Sequence, residues 1–145
     1  MKFIKSAVVE VMMEVSIDNF SYSDLLRVGY FKLAKNVSKY SNHRAKVGCV
    51  VSKKKPISVA SNKVKTHPKC ISETSKSTHA EIRAILNSGI EDLSGAYIYI
   101  YRETKDGKPA LARPCNICYS FIAECGIKRI YYTVSTYPYW KMEKI

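Results

Sequence analysis

The stretch HAEIRAILNSG, residues 79–89, has the pattern of a short amphipathic helix. Its apolar residues recur at helical spacing and predict a face that packs against a sheet: Ile82, Ile85 and Leu86. Thr78 fits the N-cap position, with Glu81 at capping-box spacing, and Gly89 follows the last turn, where glycine commonly ends helices. The sequence therefore predicts a helix over residues 79–89 whose first turn presents His79 and Glu81.

A second stretch, RPCNICYSFIAECG at residues 113–126, predicts another helix, with Pro114 at its first position and Gly126 at its end. It carries Cys115 and Cys118 near its start. The positive end of a helix dipole favours the thiolate, which is the form of cysteine that binds metals. The two cysteines and the histidine of the first stretch are thus all expected at helix N-termini.

The rest of the chain alternates between helical and strand patterns. The expected elements are a helix over 21–41, strands over 46–52 and 56–61 that form a hairpin, a polar loop over 62–78, strands over 95–102 and 127–135, and a final strand or docking segment in the tail. The order α-β-β-α-β-α-β predicts one α/β domain over residues 1–145, with a mixed sheet of about five strands between helices.

Composition limits the compartment and the class of protein. No apolar run approaches the roughly 20 residues that span a bilayer, which argues against a membrane protein. The N-terminus is interpreted as mature sequence, because acidic residues interrupt it and no cleavage site for a signal peptide follows. The five cysteines are an odd number, which argues against a disulfide framework and favours a reducing, cytoplasmic setting.

The positive charge is unevenly distributed. The net charge is +12, and residues 27–76 hold 13 of the 24 basic residues and a single acid, whereas the remainder of the chain holds 11 of each sign. This excess predicts a surface for a polyanion or a phosphorylated substrate. A lysine-rich solvated face explains it equally well, because lysine is a non-specific cation.

His79, Cys115 and Cys118 form a candidate zinc site. Zinc takes histidine and cysteine ligands, and a catalytic site has three protein ligands and keeps a fourth position for water. Glu81, in the same first turn as the histidine, can reach the space in front of the helix and move protons without binding the metal. The alternatives are a redox pair of cysteines, or a structural zinc site completed from other residues: His43, His67 or Cys70.

The motifs HAE (79–81) and PCNIC (114–118) resemble the His-x-Glu and Pro-Cys-x-x-Cys signature of the zinc-dependent cytidine deaminase superfamily. The order of hairpin, helix, strand, helix and strand over about residues 46–133 also resembles that family. The resemblance is greatest to the deoxycytidylate deaminase branch, of the small phage or viral type, in which Pro-Cys-Asn is common. It implies a three-layer α-β-α cytidine deaminase-like fold.

The resemblance also implies a reaction. Zinc would make water reactive near neutral pH, Glu81 would transfer the protons, and attack at C4 of cytosine would give uracil and ammonia. The enzyme would be a hydrolase acting on the C–N bond of a cyclic amidine. Further residues are implied in substrate binding: Asn62, after the second hairpin strand, the backbone of Ala80, and the cations Arg102 and Arg113.

The sequence leaves the substrate class open. The PCN motif favours a free cytosine nucleotide or nucleoside of the dCMP type. The basic 27–76 region favours cytosine or adenine in single-stranded DNA or RNA, with aromatic residues that either stack on neighbouring bases or pack in the core and on the sheet: Tyr119, Tyr137, Tyr139 or Trp140. A third hypothesis is a non-catalytic nucleic-acid-binding protein with structural zinc, which would not need Glu81. The family resemblance implies a homo-oligomer.

Overall fold

A computed structural model of the chain describes residues 23–63, 71–72 and 75–145, with the backbone alone at 71–72 and 75–78. Residues 23–27 are helical. Three longer helices follow in these ranges: α1 (Phe31–Ser38), α2 (Ala80–Ser88) and α3 (Asn116–Glu124). The strands in the same ranges are β1 (Val47–Lys53), β2 (Lys55–Ser61), β3 (Ile71–Ser72), β4 (Ser75–Thr78), β5 (Tyr97–Arg102), β6 (Arg129–Thr133) and β7 (Trp140–Lys144).

Five strands form one mixed sheet in the order β2-β1-β5-β6-β7. The β5–β6 pair is parallel, and the other neighbours are antiparallel. Successive side chains of β1 point to opposite faces of the sheet. Val50 packs with Phe31 and Ala34 of α1, whereas Cys49 and Val51 pack with residues of α2 and α3. The expected α/β fold, a mixed five-stranded sheet between two helical layers, is confirmed.

Two expectations about the first half of the chain are wrong. The predicted helix over 21–41 is interrupted by a turn at Gly29, which has a φ of +46°. A Cβ there would meet the ring of Tyr99, so both the backbone and the packing require glycine. The predicted loop over 62–78 contains β3 and β4, which pair in antiparallel fashion. Their polar sequence lacks the apolar alternation that signals a strand.

The starts of α2 and α3 also differ from the prediction. His79 and Cys115 occupy the N-cap positions with extended backbone, and neither makes a side-chain capping bond. Glu81 is therefore the second residue of α2, and His79, not the predicted Thr78, is the N-cap. Pro114 precedes the N-cap of α3 and is not its first residue. No helix in the described ranges has both the length and the apolar character to cross a bilayer.

Gly48 allows α1 to lie directly on β1. A Cβ at this position would clash with the backbone of Ala34 and Ser38. We expect Gly48→Ala to lower the free energy of unfolding by about 1–3 kcal/mol or more, the usual cost of forcing extra volume into a packed core. Urea denaturation checks this, with Asn36→Ala on the exposed side of α1 as the control. Equal midpoints for the two variants would contradict this account of the packing.

Candidate metal and substrate site

His79, Cys115 and Cys118 converge where α2 and α3 begin. The His79 Nδ1 atom lies 3.1 Å from Cys118 Sγ and 3.6 Å from Cys115 Sγ. All three ligand atoms lie within 4.8 Å of one another. Because the two N-caps have extended backbone, their side chains turn towards the facing helix end instead of closing a capping bond. Two segments 36 residues apart thus supply one cluster.

The cluster fits a zinc ion. One nitrogen and two sulfurs are ligands that zinc prefers, and the edge between nitrogen and sulfur in a zinc tetrahedron is about 3.6 Å. The observed separations of 3.1 and 3.6 Å are close to that edge. Three protein ligands leave a fourth position free. In the described part of the chain no other histidine, cysteine or carboxylate joins the cluster.

The described residues support neither a redox pair of cysteines nor a zinc site that His43 completes. His43 does not belong to the cluster, and its Nδ1 accepts a hydrogen bond from the backbone of Ala45 at 3.0 Å. His67 and Cys70 lie outside the described residues. Cys115 and Cys118 are free thiols in a group with a histidine, which is the arrangement of a metal site rather than of a disulfide.

Burial dominates the electrostatics of the cluster. Burial, reinforced by the charges of Glu81 and Cys115, raises the pKa of the Cys118 thiol well above its usual range. The expected effect of the helix dipole on this thiol is therefore outweighed. A bound cation restores the preference for the thiolate, because it compensates the charge directly.

Glu81 is buried beside the ligands, with 6% of its surface exposed. Burial raises the pKa of its carboxyl, while its own backbone N–H, the nearby His79 and a hydrogen bond with Cys118 oppose that shift. A carboxyl group that is buried next to a cluster of metal ligands and whose pKa is raised is the type of group that general acid–base catalysis uses.

A cavity of about 270 Å³ opens beside this cluster. Its walls bring together residues that the sequence predicted from separate motifs: His79, Cys115, Glu81, Asn62, Ala80, Arg102 and Arg113. Residues that the sequence did not assign to a substrate site complete it: His43, Ala45, Val47, Ile100, Leu111 and Ala112. Catalytic, metal-ligating and substrate-binding candidates therefore share a single space of the size of a small-molecule site.

Asn62 fixes the wall of the cavity that residues 43–47 form, and we call this segment the 43–47 wall. Its Oδ1 atom accepts from the Val47 N–H at 2.9 Å and lies 2.6 Å from the Ser41 hydroxyl, and its Nδ2 donates to Ala45 O at 2.6 Å. The Nδ2 atom carries two hydrogens, so one of them is not used in these bonds. The predicted contact of Asn62 with substrate thus depends on that hydrogen, because the carbonyl oxygen is already engaged.

The two arginines at the cavity differ in their partners. Arg113 forms a two-pronged ion pair with Glu143 at 2.8 and 3.2 Å, and its guanidinium lies 5.3 Å from the centre of the Tyr119 ring. Arg102 makes a 3.4 Å hydrogen bond to Leu111 O and belongs to neither ion pair of the described residues. Of the two arginines, Arg102 is therefore the one whose charge no carboxylate of the described ranges pairs with.

Thr133 at the end of β6 supports the opposite wall. Its fully buried hydroxyl donates to Ala110 O at 2.7 Å and accepts from the Arg102 N–H at 3.1 Å, and its carbonyl accepts from the Ala112 N–H. These bonds hold the connection after β5 against the sheet. A lone threonine in a strand gives no sequence signal for such a role.

The aromatic residues expected to stack on bases do not line the cavity. Trp140 packs near Phe31 and Tyr131, and Tyr139 is 8% exposed and lies in the core. Tyr119 lies beneath Arg113, and Tyr137 makes an edge contact with Tyr139. Trp140 begins β7 and packs on the sheet face that α1 covers, whereas Tyr119 belongs to α3 and Tyr137 and Tyr139 belong to the connection before β7.

Comparison with known proteins identifies a matching family. Residues 27–134 match the family model described as the cytidine and deoxycytidylate deaminase zinc-binding region. The match covers both helix starts that supply the cluster. A search of the curated proteins found no match.

Solved structures agree with this family. The dCMP deaminase from the cyanophage S-TIM5 in complex with dCMP and dUMP is 26% identical, with a TM-score of 0.55 over 72% of this chain and 78% of that chain. Its apo form is 27% identical, with a TM-score of 0.56 over 75% and 82%. The cytidine deaminase from Burkholderia pseudomallei, 15% identical with a TM-score of 0.57 over 79% and 88%, shows similarity of fold alone.

Proposed function

Because the chain belongs to the zinc-binding family of cytidine and deoxycytidylate deaminases, which are hydrolytic enzymes, we propose that it deaminates cytosine in a free nucleotide of the dCMP type. The observation that carries this proposal is the convergence of Glu81 and the cluster of His79, Cys115 and Cys118 on one cavity. The similarity to a phage enzyme whose structure holds dCMP and dUMP supports the nucleotide.

The chain's own residues would perform the steps in a defined order. His79, Cys115 and Cys118 would hold zinc, which when bound lowers the pKa of a water molecule to about 7. Glu81 accepts a proton from the attacking water and delivers it to the ring nitrogen next to C4 while C4 gains the oxygen. It then helps to protonate the departing amine, so that water and cytosine become uracil and ammonia.

The cavity walls would place the base. Ala80 is fully buried at the first position of α2, where backbone N–H groups have no partner within the helix. That N–H is suited to donate a hydrogen bond to the carbonyl oxygen of a cytosine. Asn62 contributes its remaining amide hydrogen from the other side of the cavity. The apolar surfaces of Ile100 and Ala112 exclude water from the ring.

Product formation by purified protein with one equivalent of zinc tests the proposal. Incubation with dCMP should yield dUMP and equimolar ammonia, and cytidine and deoxycytidine should react more slowly. Adenine nucleotides test the choice of base, because attack at C6 of adenine is the same chemistry. If zinc-loaded protein releases ammonia from none of these compounds, the free-nucleotide proposal fails.

Arg102 is proposed to bind the phosphate that distinguishes a nucleotide from a nucleoside. We expect Arg102→Ala to raise KM for dCMP about tenfold or more, because a charge-assisted hydrogen bond contributes about 1.5–3 kcal/mol, and to leave deoxycytidine turnover nearly unchanged. Lys108→Ala, an exposed cation on the same connection, is the control. Equal losses on dCMP and deoxycytidine would show that Arg102 does not select for phosphate.

We also propose that residues 1–145 form a single deaminase domain that assembles into a homo-oligomer. Apolar side chains on or next to α2 and α3 are unusually exposed, at 40% for Leu86, 43% for Ile90 and 51% for Ile117. A subunit interface that covers them would join these side chains in one apolar patch. Sedimentation equilibrium checks this proposal, and a monomer at micromolar concentration would contradict it.

A further inference from the structure

A second cavity, of about 480 Å³, lies next to the catalytic one, and we call it the basic groove. Its lining is dominated by basic residues: Lys39, His43, Arg44, Lys46 and Lys105, with Ser38, Thr104 and Glu103. The lysines and Arg44 are exposed, and none of them belongs to an ion pair of the described residues. Glu103 is the one carboxylate of the lining, and it is held by the Tyr101 hydroxyl at 2.8 Å.

The 43–47 wall separates the basic groove from the catalytic cavity. Along it the lining alternates: Ala45 and Val47 face the catalytic cavity, Arg44 and Lys46 face the groove, and His43 lines both. An extended segment has this two-residue period. The groove is therefore the adjoining space on the other side of a wall one residue thick, and both spaces border His43.

An exposed aromatic residue is the chain neighbour of a groove residue. Tyr40 follows Lys39 and is 81% exposed, the highest value among the large apolar residues described. The ring contacts in the described part of the chain do not include it. A solvated tyrosine beside cations is the combination that binds single-stranded nucleic acid, in which cations follow the phosphates and rings stack on bases.

We propose that the basic groove binds the sugar–phosphate backbone of a single-stranded nucleic acid whose cytosine nucleotide occupies the catalytic cavity. The proposal rests on the proposed function, because the same cavity receives the base in both. Phosphates next to the target cytosine lie against Lys39, Arg44 and Lys46, and a neighbouring base stacks on Tyr40. The chain then deaminates cytosine within a strand as well as in the free nucleotide.

A strand explains the observations better than a lone phosphate does. One phosphate is compensated by one or two cations, and Arg102 is already available at the catalytic cavity. The groove adds four further exposed cations, three of them from the 27–76 region that carries the whole charge excess. A mononucleotide in the cavity has no second base, so it gives no role to the exposed ring of Tyr40.

Binding of a short fluorescent oligothymidylate with one central cytosine tests the groove directly. The measurement is fluorescence anisotropy on the zinc-loaded Glu81→Gln chain, which prevents turnover, over a series of salt concentrations. Combined Lys39→Ala, Arg44→Ala and Lys46→Ala should weaken binding at least tenfold. They should also reduce the slope of log K against log salt by about 2, because each phosphate contact on a single strand contributes about 0.7.

A matched variant removes equal charge elsewhere. Combined Lys32→Ala, Lys53→Ala and Lys55→Ala takes away three exposed lysines that do not line the groove. It should change affinity and salt slope much less than the groove variant. Equal losses for the two triple variants would overturn the proposal, because the strand would then be held by overall charge and not by the groove.

Tyr40 gives a second, independent readout. Tyr40→Ala should weaken binding of the single strand about fivefold or more, whereas Tyr40→Phe should keep it, because stacking needs the ring and not the hydroxyl. Binding of a duplex of the same sequence should be insensitive to both changes. If Tyr40→Ala and Tyr40→Phe weaken strand binding equally, or not at all, the stacking role is overturned.

Parallel assays separate this proposal from the proposed function. Wild-type protein is given dCMP and, separately, the strand, whose uracil content is measured by mass spectrometry. If dCMP is deaminated but the strand is neither bound nor converted, the groove proposal fails and the function stands. If the strand is bound through the groove while neither substrate is converted, the proposed function fails. If Lys39, Arg44 and Lys46 bind a free nucleoside triphosphate but the protein binds no strand, the groove is a polyphosphate site and the groove proposal fails.

Discussion

Replacing Glu81 with glutamine is expected to lower kcat for dCMP deamination about a thousandfold, while zinc remains bound. The amide keeps the shape of the carboxyl but accepts no proton, and general acid–base groups contribute about 10²–10⁴ to the rate. Zinc content and dUMP formation are measured on the same preparation. Zinc-loaded Glu81→Gln with more than a tenth of wild-type activity would exclude Glu81 as the proton carrier.

A control and a stability measurement accompany this prediction. Glu124→Gln removes an exposed carboxyl from the end of α3 and should leave kcat unchanged. In zinc-free protein, Glu81→Gln should keep or raise Tm. The folded-state pKa of Glu81 is raised chiefly by burial, so its ionised form costs stability at neutral pH, and the neutral amide avoids that cost.

Replacing Cys118 with alanine is expected to weaken zinc binding at least a hundredfold and to abolish measurable deamination at stoichiometric zinc. Even partners outside the coordination shell change metal affinity about 10–100-fold, so the loss of a fully buried ligand should exceed that range. The readouts are zinc content after dialysis and the rate of dUMP formation. Removing zinc from wild-type protein with a chelator should have the same effect, reversed when zinc is restored.

Cys125→Ala is the matched control for the zinc prediction. Cys125 follows the same helix and is a partly buried free thiol outside the cluster. Its loss should leave zinc content and activity unchanged. If Cys118→Ala retains stoichiometric zinc after dialysis, the three-residue ligand set is wrong.

The sequence was most informative where short motifs and periodicity agreed. HAE and PCNIC were each placed at a helix start, and the structure brings the two starts together. The hairpin and the later strands β5 and β6 were found because their apolar residues are buried in the sheet. Each of these features depends on a few neighbouring residues, so one amino-acid sequence is enough to predict it.

The errors arose where tertiary contacts decide the outcome. Gly29 breaks the first helix partly because the ring of Tyr99 leaves no room for a Cβ, and Tyr99 is seventy residues away. The side-chain oxygen of Asn62 bonds Ser41 and Val47, so a residue predicted only to contact substrate also supports the wall. Arg113 lines the cavity, but Glu143 from β7 compensates the charge that was predicted to bind substrate. No local pattern reveals these partners.

The 43–47 wall makes the two sides of the site separately adjustable. Residues 44 and 46 project to one side and residues 45 and 47 to the other, while Asn62 and Ser41 fix the backbone between them. Substitution at 44 or 46 can therefore alter what lies outside the base pocket without reshaping the pocket. Evolution or protein design could therefore change the polyanion that such an enzyme binds by substitutions at positions 44 and 46, while the catalytic residues stay the same.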